Sequence, residues 1–167
     1  MSTLPQLLNQ IPQHIRDGQY PGPCMWSAGI EVSPDSGFTV VDDGIPAIRF
    51  GVYTSGPGSN LLDLVAVTVG PPRRVLTLRG IGDLLGFDNF DHADITRATV
   101  RLYRSPLDWL AAGGDGISVC DWFKVRPLLC RLPGLICDDA AHADDVYQRL
   151  RGCGPMPRFY VEQGAAA

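Results

Sequence analysis

Residues 116–121 read GISVCD and residues 134–139 read GLICDD, with the helix-length stretch WFKVRPLLCRL between them. No other feature constrains the fold as much. Strands joined by a tight turn run antiparallel, whereas strands joined by a crossover of a dozen or so residues, usually a helix, run parallel. Both segments are aliphatic throughout rather than alternating, which is the pattern of strands covered on both faces. The flanking sequence keeps the same rhythm, with ATVRLYR as a strand and SPLDWLAAGG as a helix before them, then AAHADDVYQRLR as a helix and PRFYVE as a strand after them.

The helix of SPLDWLAAGG is well specified. Ser105 is placed to cap it, Pro106 suits the first helical position, and Asp108 stands third in a variant of the capping box. Gly113 ends it, Gly152 ends the last helix, and Pro127 is expected to interrupt the middle one. Residues 98–162 therefore read as a small α/β lobe with parallel strands.

The rhythm upstream is different. SAGIEV, GFTVVD, AIRFGVY, LLDLVAVTV and RVLTLR are short apolar or alternating runs separated by SPDSG, DDGIP, TSGPGSN and GPP, all turn chemistry. Residues 21–79 are thus expected to form a β-rich lobe, an antiparallel meander of about five strands. Residues 80–97, Asp-rich and punctuated by glycine, read as a linker with a helical turn at Asp83 to Leu85. Residues 1–20 place Leu4, Leu8, Ile11 and Ile15 at helical spacing, with Thr3 as cap and Pro12 as a kink, and predict an N-terminal helix. The last five residues, 163–167, read as a disordered tail. The fold class is mixed α+β, a β-rich N-terminal lobe packed on a small α/β lobe.

A chain of 167 residues is long enough to bury a real core. It has no apolar run near the roughly 18 residues of a spanning helix and no signal-peptide pattern, so a cytoplasmic location without membrane contact is expected. Five cysteines with no C-x-x-C pair fit reduced thiols rather than a disulfide framework. Of the eighteen acids sixteen are Asp, and of the fourteen strong bases thirteen are Arg, Lys124 being the sole lysine. Asp favours turns and caps, so few long solvated helices are expected. A net charge of −4 argues against non-specific nucleic-acid binding, which needs a positive field.

If GISVCD and GLICDD are parallel strands of one sheet, Asp121, Asp138 and Asp139 lie on the same edge, where open α/β sheets bind ligands. His142 follows four residues after Asp138. Three carboxylates there would suit magnesium or manganese, with His142 as a candidate catalytic base acting on a phosphorylated substrate. The competing reading makes the same residues helix caps: Asp121 before Trp122, and Asp138 or Asp139 at the start of the last helix. Arg97, Arg101 and Arg104 are candidates for an anion or nucleic-acid contact, against a reading as ion-paired surface arginines. No G-x-S-x-G elbow, P-loop lysine or G-x-G-x-x-G turn occurs. The leading expectation is a non-catalytic accessory protein with a protein partner and no cofactor; the alternative is a divalent-metal-dependent hydrolase.

Overall fold

The structure, a computed structural model, describes residues 26–33, 37–53, 61–69 and 71–162, together with Gln13. The helix expected over residues 1–20 and the tail at 163–167 lie outside the described residues, Gln13 excepted. Two five-stranded sheets and four helices make up the described fold, which is α+β. Among the described residues no helix is long and apolar enough to cross a membrane.

The first sheet contains β1 (Trp26–Val32), β2 (Phe38–Val41), β3 (Ile45–Tyr53), β4 (Leu61–Thr68) and β5 (Val75–Thr77). All its pairings are antiparallel and its order is β2-β1-β3-β4-β5. The stretch β3-β4-β5 runs simply up and down. At the other edge, β2 and β3 pair with opposite sides of β1, so the three-residue link between them must cross over that strand. Gly29 and Gly44 permit the crossing: a Cβ at Gly29 would stand 2.5 Å from the Gly44 nitrogen, and one at Gly44 would stand 2.6 Å from the Ile30 backbone.

The second sheet is built from β6 (Leu84–Leu85), β7 (Val100–Tyr103), β8 (Ile117–Val119), β9 (Gly134–Cys137) and β10 (Arg158–Val161). Its order is β10-β9-β7-β8-β6. The last four strands in sequence are mutually parallel, and β6 is an antiparallel edge. GISVCD and GLICDD therefore run in the same direction in one sheet. They are not neighbours, however, because β7 lies between them.

The helices are α1 (Phe87–Thr96), α2 (Pro106–Ala111), α3 (Trp122–Leu129) and α4 (Ala140–Leu150). Ser105 caps α2 by accepting from the Asp108 N–H, with Pro106 in the first turn. Asp121 caps α3 and Asp139 caps α4. Pro127 does not break α3, which continues to Leu129; the carbonyl it leaves unpaired, that of Phe123, belongs to an exposed residue of the first turn.

Residues 80–97, expected to link the lobes, carry β6 and α1, both packed into the second lobe. The turn at Asp83 to Leu85 is extended rather than helical. The N–H groups of Cys120 and Asp121 bind the Asp83 carbonyl at 2.8 and 3.1 Å, and Leu84 and Leu85 pair with Val119 and Ser118. Pairing with β8 outweighs local helical preference, and α1 starts only after Gly86, whose φ is 72°. A Cβ at Gly86 would sit 2.0 Å from the Gly116 carbonyl oxygen, which accepts from the Trp109 indole.

Three apolar clusters hold the layers. Phe90, Val125, Leu129, Val146 and Leu150 of α1, α3 and α4 pack on Val100, Leu102, Ile117 and Leu135 of the second sheet. On that sheet's other face, Leu85 and Tyr103 join Leu107, Trp109 and Leu110 around α2 and meet Ile48, Phe50, Val52, Val65 and Val67 of the first sheet. The two lobes thus share a core. Each fully buried aliphatic side chain contributes about 1.5–3 kcal/mol. A smaller cluster of Ile30, Phe38, Ala47, Ala66 and Leu76 lies on the opposite face of the first sheet.

Candidate functional site

All four parallel strands present their carboxyl ends on one rim. From β7 the chain passes to β8 on one side, then returns across β7 to β9 on the other, so the direction of winding reverses between β7 and β9. In sheets of this kind that reversal opens a crevice. Here it is lined by Tyr103, Arg104, Asp108, Ala111, Ala112 and Asp138.

Four of the charged residues marked in the sequence meet at this rim, where Arg101 and Arg104 face Asp138 and Asp139. Arg104 Nη2 contacts both Asp139 oxygens, at 2.8 and 2.9 Å. Asp139 also accepts the His142 N–H at 2.7 Å. That backbone bond, with Arg104 beside it, holds its carboxyl below the usual range. Arg101 reaches Asp138 Oδ1 at 3.5 Å and Glu162 Oε1, tying β7 to the ends of β9 and β10.

His142 is 2% exposed. Its Nδ1 stands 3.3 Å from the Asp138 N–H nitrogen and 3.2 Å from Asp138 Oδ2. A neutral imidazole nitrogen either accepts or donates, so Nδ1 serves one of these partners at a time. Burial lowers the pKa of the ring and favours its neutral form. Cys137, one residue before the pair of acids, is fully buried, and burial pushes its thiol up to about 11.

Asp121 is elsewhere. It ends β8, two strands from β9, where it accepts the Phe123 N–H at 2.9 Å and lies 3.7 Å from Lys124 Nζ. Arg97 stands apart as well, at the C-terminal end of α1 with φ 58°, donating to the Arg131 carbonyl and 3.7 Å from Asp94. Among the described residues, no three His, Cys, Asp or Glu side chains gather closely enough to hold a metal ion. The rim's carboxylates instead join β7, β9, β10 and α4 through guanidinium and backbone contacts.

A second region has more shape. Where the lobes meet, a groove of about 350 Å³ opens between the first sheet and α3. Val52, Tyr53 and Leu62 form one wall, Leu84, Val125 and Leu128 the other, and Ile81 and Phe87 stand at the mouth with 48% and 39% of their surface exposed. The charged lining residues, Asp83 and Lys124, are 3.1 Å apart, and Lys124 also donates to the Gly80 carbonyl.

The residue that shapes this groove gave no motif. Asp63 lies inside β4 and is 2% exposed. Its Oδ1 accepts from the N–H groups of Leu64 and Arg79 at 2.7 and 2.8 Å, and its Oδ2 from those of Ile81 and Gly82, both at 2.9 Å. One carboxylate thereby fixes the 79–82 loop against the sheet. The available signal was the lone acid within the apolar run LLDLVAVTV, since a buried charge must find partners. Comparison with known protein families, curated proteins and solved structures gives no match to the chain.

Proposed function

We propose that this chain is a non-catalytic protein-interaction module, and that the junction groove receives apolar side chains of a partner protein. The observation that carries this reading is the groove: eight of its ten lining residues are apolar or aromatic. Its charged pair is mutually satisfied, and its loop wall is held in place by Asp63. Its volume falls within the range of ligand-binding pockets, about 300–1,000 Å³. Pre-formed walls reduce the ordering cost of binding. The groove's amine, Lys124, is held as an ammonium by the Asp83 carboxylate, which raises its pKa, and at the strand-end rim each carboxylate already faces a guanidinium or a backbone N–H.

A random-peptide display selection on the folded protein tests the reading. Enriched peptides should carry closely spaced Leu, Phe or Trp residues, and should bind at least about tenfold more weakly to Ile81→Asp and Phe87→Asp. Both positions are part-exposed, so the variants should stay folded, which their melting curves check. Enrichment indifferent to both substitutions, or no enrichment, removes the groove as the binding surface.

A further inference from the structure

A different part of the molecule supports a specific self-association. β10 is the outer strand of the second sheet; β9 covers one side of it, and among the described residues no strand covers the other. The Arg158 N–H binds the Pro133 carbonyl on the β9 side at 3.0 Å. Backbone direction alternates along a strand, so Arg158 and Tyr160 turn their peptide groups toward β9, and Phe159 and Val161 turn theirs outward. Two N–H donors and two carbonyl acceptors therefore line the open edge.

The side chains match this edge to a copy of itself. Residues 158–162 read RFYVE, with a cation at one end and an anion at the other. In an antiparallel pair centred on Tyr160, Phe159 stands opposite Val161 of the second copy, the register in which outward-facing residues exchange both hydrogen bonds. The same register puts Arg158 opposite Glu162 of the second copy, twice, at the closer non-hydrogen-bonded spacing. In the single chain Glu162 meets Arg101 through Oε1, leaving Oε2 for the new partner. Arg158 is exposed and has no ion pair among the described residues.

The edge has only part of the usual protection. Natural edge strands are kept short or are blunted by charge, Pro or a bulge; β10 is short and carries Arg158, but it holds no Lys, Pro or bulge within Arg158–Val161. Tyr160 and Val161 are each 44% exposed. We propose that β10 pairs with β10 of a second copy about a two-fold axis at Tyr160, joining the second sheets of the two copies into one continuous sheet. An interface of this kind is isologous, and it closes at the dimer.

Sedimentation equilibrium at low salt tests the pairing on the full chain. The wild type should be a dimer in reversible equilibrium with monomer. Val161→Pro removes an outward N–H without touching the β9 ladder and should leave only monomer. Arg158→Glu and Glu162→Arg should each weaken dimerisation roughly tenfold by setting like charges opposite one another. An equimolar mixture of the two should recover the dimer, because each chain then supplies the charge the other lacks. The mixture keeps the test decisive should the proline variant fail to fold. A wild type that stays monomeric to high micromolar concentration overturns the proposal, as does a dimer unchanged by these substitutions or a mixture that recovers nothing.

Discussion

The carboxylates at the β7/β9 rim and the carboxylate inside β4 make a useful contrast. Asp138 and Asp139 are conspicuous in the sequence, end a strand and sit beside a histidine, yet each is at least partly open to water and faces an arginine. Asp63 is inconspicuous, buried, and bound by four backbone N–H groups from two segments. Solvent screens the first pair, so each of its salt links is worth at most about 1 kcal/mol. Asp63 is 2% exposed and much less screened, and its loss would take the acceptor from four backbone donors at once, the Gly82 N–H among them in a buried position. The acids that look most like chemistry are thus not those with most influence on the shape of the molecule.

The sharpest way to break that contrast is to remove Asp63. Asp63→Ala should lower unfolding free energy by roughly 3–5 kcal/mol, and Asp63→Asn, with a single acceptor oxygen, by roughly 2 kcal/mol. Urea denaturation measures both. A loss below that of the helix-cap variants would reverse the ranking.

Helix-cap substitutions come next. Asp139→Ala removes the cap of α4 and the Arg104 pair together and should cost about 1–2 kcal/mol, while Asp121→Ala, which removes the cap of α3, should cost about 1 kcal/mol. Equal losses at the two sites would mean that the Arg104 contact adds no more than the approach of Lys124 to Asp121 does.

The smallest effect is pH-dependent. The pKa of His142 is lowered in the folded state by burial, so the unfolded chain binds its proton more readily. Stability should therefore fall as pH drops below about 6.5, with the fall ending below the folded-state pKa. His142→Leu should flatten this part of the profile whatever it does to absolute stability. Melting curves at stepped pH would show whether the slope survives the substitution.

Much of this architecture was legible because it is local. Ser105, Asp121 and Asp139 cap the helices they precede, Gly113 and Gly152 follow helix ends with φ of 85° and 81°, and the five antiparallel strands follow their turn residues. Parallel direction in GISVCD and GLICDD was legible from the crossover between them. Their separation was not, because the side of β7 to which each crossover carries the chain depends on packing against the first sheet and α2. The same limit applies to β6, where pairing with β8 outweighs the helical tendency of GDLL. Asp63 escaped notice because its partners at 79–82 are 16 to 19 residues away along the chain.

Lys124 has a practical consequence. It is the only lysine in the chain, and its amine stands at the mouth of the junction groove. Acylating reagents that seek side-chain amines would have this one address. With the α-amine blocked, a fluorophore or crosslinker delivered by amine coupling would report on the groove without any engineered handle.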